Sequence, residues 1–162
     1  MAKNLDARRW GAQLLRDLAE MAKQKGKQHT LLTRMAYVGA GQLETVSRLA
    51  AGLGYQLVIQ PPEEKDSGKW YAMGGSWKEL LKTMVFHWWN REDEELIATG
   101  NENQLDRVYR KSAIRNQLHD AGLNADCFTE WLQNGKTPTI ETFCLLAQFE
   151  GFGIEWREIH ND

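Results

Sequence analysis

The sequence ETVSRLAAGLGYQLVIQ at residues 44–60 recurs without a gap, 97 positions later, as ETFCLLAQFEGFGIEWR at residues 141–157. In each copy, apolar residues at helical spacing run up to a glycine, Gly54 or Gly151, and apolar residues then alternate with polar ones. Glycine is common at helix C-termini, and alternation is typical of a strand. Each copy therefore predicts a helix, a glycine cap and a strand. One strand face is expected to carry Tyr55, Leu57 and Ile59 in the first copy, and Phe152, Ile154 and Trp156 in the second.

Upstream, the two copies stay aligned at an offset of 96, so one residue has been gained or lost in the loop before the last helix. The aligned positions are those that a helix-turn-helix needs. These are a small or apolar residue on the first helix, a turn glycine four residues later, and apolar residues six and nine beyond it. The first copy has Ala22, Gly26, Leu32 and Met35, and the second has Leu118, Gly122, Phe128 and Trp131, with Leu123 as a further apolar turn residue.

Three stretches resemble the Cro/repressor (XRE-type) domains of phage repressors and bacterial antitoxins. They are EMAKQKGKQHTLLTRM at residues 20–35, LETVSRLAAGLGYQLVI at 43–59 and AGLNADCFTEWLQNGKTPTIETFCLLAQFEGFGI at 121–154. The second copy departs from the pattern by placing leucine at residue 118, where a small residue is usual. The resemblance implies a mostly α fold with two lambda-repressor-like helix-turn-helix units in tandem. It also implies a sequence-specific DNA-binding transcriptional regulator.

The segment between the copies predicts a strand and a helix. Residues 69–73 are expected to form a strand, and Ser76 with Glu79 forms a capping box. The amphipathic helix that follows has an apolar stripe made of Trp77, Leu80, Leu81, Met84, Val85 and Trp88. Phe86 and Trp89 lie off that stripe, and their burial on a second side of the helix is favoured over exposure to a partner.

These elements predict an architecture with three parts. Residues 1–60 form a basic helix-turn-helix unit that ends in a strand. Residues 61–103 form a hairpin strand, the central amphipathic helix and an acidic linker. Residues 104–162 form a second, acidic helix-turn-helix unit with its own terminal strand. The two units are expected to be related by pseudo-twofold symmetry. They are joined by a small antiparallel sheet of strands 55–60, 69–73 and 153–158, packed on the central helix. The chain is then a monomeric pseudo-dimer; strands that pair between chains would instead give a homodimer with four motifs.

Charge divides the chain unevenly. Residues 1–60 hold nine Lys and Arg against four Asp and Glu, a net charge of +5, whereas the remainder carries −7. This asymmetry favours a polyanionic partner for the first third. Apolar stretches are far shorter than the roughly 20 residues of a membrane span, and the N-terminus lacks the pattern of a signal peptide, so a cytoplasmic protein without membrane association is expected. Cys127 and Cys144 lie in predicted helices without metal-ligand spacing and are expected to be packing residues.

The first copy predicts a surface for double-stranded DNA. In the usual docking, the first residues of the second helix enter the major groove. Glutamine can bridge adenine, arginine can bind guanine with two hydrogen bonds, and threonine can contact base edges or thymine methyls. The residues expected in the groove are Gln28, His29, Thr30, Thr33 and Arg34, and those expected on phosphates are Lys23, Lys25 and Lys27.

The second copy offers a different surface. Its matching positions are Asn124, Asp126, Thr129, Glu130, Gln133 and, nearby, Lys136. Two carboxylates with so little basic charge would repel phosphate, so a weak DNA surface or a protein surface is expected here. The alternative function is therefore a protein-binding inhibitor or adaptor of mobile-element origin, in which the acidic C-terminal half covers a basic surface of a toxin or nuclease.

Catalysis is not expected. His29, His87, His119, His160 and Cys127 show no arrangement with an orienting partner or an oxyanion site, and no pattern indicates a metal ion or a cofactor.

Overall fold

The chain is mostly helical with a small two-stranded antiparallel sheet. The computed structural model describes residues 2–38, 41–62, 68, 70, 77–84, 87, 119–123, 130–131 and 135–159. Its elements are α1 (Ala2–Gln24), α2 (Thr30–Val38), α3 (Leu43–Gly52), β1 (Tyr55–Gln60), a helical segment at residues 77–84, α4 (Ile140–Glu150) and β2 (Gly153–Glu158).

Helix α1 ends at the predicted turn glycine. Gly26 has a φ of 70°, a left-handed conformation that glycine adopts without steric cost. This allows the amide of Lys27 to donate to the carbonyl of Ala22 at 2.8 Å and that of Gly26 to donate to Lys23 at 3.0 Å. The two bonds satisfy carbonyls that the helix end would leave without partners, and they turn the chain toward α2.

The N-terminus of α3 is capped by the other copy of the repeat. Its cap residue, Gln42, makes no side-chain capping bond, but the amide of Glu44 donates to the hydroxyl of Thr137 at 3.0 Å. The amide of Leu43 donates to the carbonyl of Pro138 at 2.8 Å. By contrast, α4 has its own cap, the hydroxyl of Thr139. The start of α3 therefore depends on a loop from the distant C-terminal part of the chain.

Strands β1 and β2 pair antiparallel within the chain and join its two ends. The register places Tyr55 opposite Glu158 and Gln60 opposite Gly153. The observed bounds confirm the strands predicted at residues 55–60 and 153–158. The third predicted strand, 69–73, lies outside the described residues except for Trp70, which belongs to no strand.

The centre of β1 is buried on the predicted face, at Leu57 and Ile59, and also on the opposite face, at Val58. Leu57, Val58 and Ile59 are all buried, although successive side chains of a strand point to opposite faces. The centre of β1 is therefore covered on both sides. In the second copy, Ile154 is buried, Trp156 is partly buried, and Phe152 is buried just before β2 begins.

One continuous hydrophobic core joins both copies of the repeat. Helix α1 packs against α2 and α4, and the indole Nε1 of Trp156 on β2 donates to the carbonyl of Leu14 at 2.8 Å. The predicted stripe of segment 77–84 is buried at Trp77, Leu80, Leu81 and Met84. The other residues discussed for the central helix lie outside the described residues, as does the predicted linker; they are Ser76, Val85, Phe86, Trp88 and Trp89.

The described packing residues of the helix-turn-helix pattern are buried or partly buried. In the first copy, Ala22 and Leu32 are buried and Met35 is partly buried against the core. In the second, Leu123 and Trp131 are buried and Gly122 has a φ of 88°, whereas Leu118 and Phe128 lie outside the described residues. No helix among the described residues is long and apolar enough to cross a membrane.

The thiol of Cys144 gives a first testable consequence of this core. Cys144 is fully buried, and desolvation, assisted by the negative charge of Glu141, raises the pKa of its thiol far above the usual range. We expect native Cys144 to resist a thiol reagent such as Ellman's reagent and to react once urea unfolds the chain. The Cys127→Ser variant leaves one thiol to count. Rapid reaction in native buffer would contradict this burial.

The raised pKa of the Cys144 thiol determines the direction in which the stability of the protein changes with pH. The unfolded chain releases the thiol proton at a lower pH than the native chain does, so this contribution to stability is intact below the ordinary thiol pKa of roughly 8.5 and declines above it. The decline is at most about 1.4 kcal/mol per pH unit. Urea denaturation of Cys127→Ser between pH 8 and 10, compared with Cys127→Ser/Cys144→Ala, isolates it.

Candidate nucleic-acid interface

Helix α2 has one buried and one exposed side. Leu32 and Ala36 are buried against the core. Thr30, Thr33 and Arg34 are exposed, at the three- and four-residue spacing that places side chains on one helix face. The packing of α2 on α1 therefore directs the polar face away from the core.

This face contains a shallow, open depression, and none of the described residues that line it carries a carboxylate. The lining residues are His29, Thr30, Thr33, Arg34 and Tyr37. Four of the five residues predicted to read bases are thus brought together. The fifth, Gln28, is exposed in the turn before α2 and does not line the depression.

The side chains in this depression differ in how they are held. The hydroxyl of Thr33 donates to the carbonyl of His29 at 3.1 Å, and the amide of Thr33 donates to the same carbonyl at 3.0 Å. Both bonds fix the first turn of α2. Within the described part of the chain, no hydrogen bond or ion pair engages the exposed guanidinium of Arg34. A ligand can therefore take all of its donors.

The three predicted phosphate-binding lysines are not equivalent. Lys23 and Lys27 are exposed on either side of the turn glycine. The ammonium of Lys25, however, donates to the carbonyl of Leu53 at 2.7 Å and lies 4.5 Å from the centre of the Tyr55 ring. Lys25 therefore ties the turn to the C-terminus of α3, and a phosphate would have to compete with these contacts.

In the second copy, the lysine near the predicted surface forms an ion pair with a glutamate. The ammonium of Lys136 lies 3.1 Å from Oε2 of Glu130. The backbone amide of Lys136 donates to the backbone carbonyl of Glu130, also at 3.1 Å. Of the other residues predicted for this surface, Asn124, Asp126, Thr129 and Gln133 lie outside the described residues. The basic residue closest in sequence to this surface is thus already paired.

A second depression, not predicted from the sequence, adjoins the first. It lies between α1 and the end of α2 and is lined by Arg8, Arg9, Ala12, Arg16, Ala36, Tyr37 and Val38. Tyr37 belongs to both depressions. Arg8, Ala12 and Arg16 recur every four residues, and this helical spacing was the signal in the sequence that could have indicated a basic face on α1.

No protein-family model matches the chain, and no curated protein or solved structure is significantly similar to it. Function is therefore inferred from the surface chemistry of the chain itself.

Proposed function

We propose that this protein is a sequence-specific DNA-binding transcriptional regulator of phage or antitoxin type, in which α2 reads the major groove. The observation that carries this is the exposed face of α2, with Thr30, Thr33 and Arg34 on one side of a short helix and no carboxylate among the described residues around them. A major groove about 12 Å wide admits one helix, and these residue types can bind base edges. The net charge of +5 on residues 1–60 favours approach to a duplex.

The finer architecture in this proposal is a pair of helix-turn-helix units related by pseudo-twofold symmetry. Strand pairing supports it, because Val58 pairs with Glu155 and Gln42 forms an isolated bridge with Thr139, each with the residue 97 positions later. Where equivalent strands pair across a twofold axis, the residue at the axis lies opposite its own equivalent. The bond from the Leu43 amide to Pro138 also has its equivalent in the bond from the Ile140 amide to Gly41, both 2.8 Å long.

Backbone conformation at the glycines supports the same relation. Gly26 and Gly122, aligned at the offset of 96, have φ values of 70° and 88°, and Gly54 and Gly151, aligned at 97, have 86° and 84°. The amides of the first pair donate three residues back, to Lys23 and His119 respectively. Two turns of each copy therefore share their geometry.

The two units are unequal as DNA readers in this proposal. The first presents an unengaged arginine on its second helix, whereas the second has its nearby lysine paired with Glu130. One chain would then read one half-site, although its fold has two copies. We expect the preferred sequence to be a single site of a few base pairs without palindromic symmetry.

The test is selection of bound duplexes from a random pool, with fragments of the region upstream of its own gene as a second source, followed by titration. Arg34→Ala is expected to weaken binding to a selected duplex roughly ten- to hundredfold, and binding to a random duplex much less, because a base contact is lost. Arg48→Ala, which removes an exposed arginine on α3 outside both depressions, is the matched control. The proposal fails if all duplexes bind more weakly than about 10⁻⁵ M and Arg34→Ala changes nothing.

A further inference from the structure

The depression between α1 and α2 concentrates positive charge, and no acidic residue is among the described residues that line it. Its three arginines, Arg8, Arg9 and Arg16, are exposed, and within the described residues none of them makes a hydrogen bond or an ion pair. Asp17, an acidic residue of the same helix, accepts a hydrogen bond from the amide of Gln13 at 2.8 Å and does not line the depression. Three like charges on one face repel each other, so an anion that bridges them would bind favourably.

The shape of this charged face favours a linear polyanion over a single small anion. Arg8 and Arg16 are eight residues apart, which is about 12 Å along a helix. A DNA strand carries one phosphate for each roughly 3.4 Å of duplex axis, so a row of this length can reach more than one phosphate. Guanidinium groups bind phosphate oxygens with two parallel hydrogen bonds.

Tyr37 connects this face to the helix that is proposed to read bases. Its side chain is 89% exposed and lines both depressions. An aromatic ring exposed to this extent gains little from the core, and its hydroxyl can donate to a phosphate oxygen. The two depressions therefore adjoin at Tyr37, and the described residues that line them include four arginines and no carboxylate.

We infer that Arg8, Arg9 and Arg16 bind the phosphate backbone of the duplex that α2 reads, and that Tyr37 lies where backbone and groove contacts meet. This inference rests on the proposed function. In this arrangement, α1 contributes the electrostatic part of the affinity for DNA, and α2 discriminates between DNA sequences. Phosphate contacts position a protein on DNA but carry no sequence information, so the two shares can be separated by experiment.

The experiment measures affinity and its salt dependence for two probes, a selected duplex and a random-sequence duplex of the same length. Neutralising the face by Arg8→Gln/Arg9→Gln/Arg16→Gln is expected to weaken both probes in parallel, roughly ten- to hundredfold at moderate salt, and to reduce the slope of log K against log salt concentration by about 2 to 3. The single variant Arg16→Gln is expected to reduce the slope by about 1. Arg48→Gln is the matched control for one lost charge, and circular dichroism confirms that each variant is folded.

The outcomes separate this inference from the proposed function. If wild type prefers the selected duplex but the triple variant keeps its affinity and slope, the inference is overturned and the proposed function stands. Loss confined to the selected duplex also overturns it, because the arginines would then contact bases. If wild type binds both probes equally and the triple variant weakens both, the inference stands and sequence-specific reading by α2 fails. Absence of any duplex binding by wild type overturns both.

Discussion

Phe143→Ala is expected to lower the free energy of unfolding by about 3–5 kcal/mol. Phe143 is 1% exposed, belongs to the core that joins both copies of the repeat, and is among the largest of the fully buried side chains described. It lies on α4, which packs against α1. Its truncation removes the transfer free energy of the ring and leaves a cavity between elements from the two ends of the chain, so both costs add.

Urea denaturation followed by circular dichroism measures this loss, and the melting temperature is expected to fall by roughly 6–20 °C for a chain of this size. Phe149→Ala is the matched control, because it makes the same change on the same helix at a partly buried side chain. Its cost is expected to be clearly smaller. Equal losses at the two positions would show that Phe143 does not lie at the centre of a shared core.

The elements predicted with the correct bounds are those in which the sequence pattern is local. Both strands began and ended where the alternation after Gly54 and Gly151 predicted. The cap of α4 at Gly151 also follows from sequence, since glycine takes the left-handed conformation there with a φ of 84°. These features depend on neighbouring residues alone, so a single sequence contains the information.

The pairing of strands 55–60 and 153–158 was predicted from the repeat, but other features that depend on packing between distant segments were not predicted. Burial of Val58 requires cover on a second face of β1, and the cap on α3 comes from Thr137, 93 residues from Glu44. The same reason applies to the candidate site. The residues of α2 follow a known helical pattern, whereas the proximity of Arg16 to Tyr37 and of Lys25 to Leu53 exists only after α1, α2 and α3 have packed.

A second large loss of stability is expected when the pair formed by His87 and Glu150 is broken. Nδ1 of His87 lies 3.1 Å from Oε1 of Glu150, whose side chain is fully buried, and the imidazole ring packs edge-on against Phe152 at a centroid distance of 4.9 Å. His87→Ala removes the imidazole partner of a buried carboxylate. Leaving a buried carboxylate without one of its partners costs about 1–3 kcal/mol, and more where the group is charged, because the group stays away from water.

Replacing both members by apolar residues is expected to restore most of this loss. When both partners of a buried hydrogen-bonded pair are replaced by apolar groups of similar shape, stability is often nearly unchanged or even raised. The chain already has leucine at the equivalent position of the first copy, since Leu53 precedes Glu150 by 97 residues and packs against the core. His87→Phe/Glu150→Leu is therefore expected to be more stable than His87→Ala and than Glu150→Leu alone.

A double-mutant cycle at pH 7 measures the coupling, with wild type, His87→Phe, Glu150→Leu and the double variant compared in urea. The control is the exposed pair of Glu79 and Lys82, 3.7 Å apart with side chains 53% and 42% exposed. Glu79→Ala is expected to cost less than about 1 kcal/mol, because water screens the pair. If the losses of the two single variants add in the double variant, the two side chains are not coupled, and the buried pair does not stabilise the contact between residue 87 and α4.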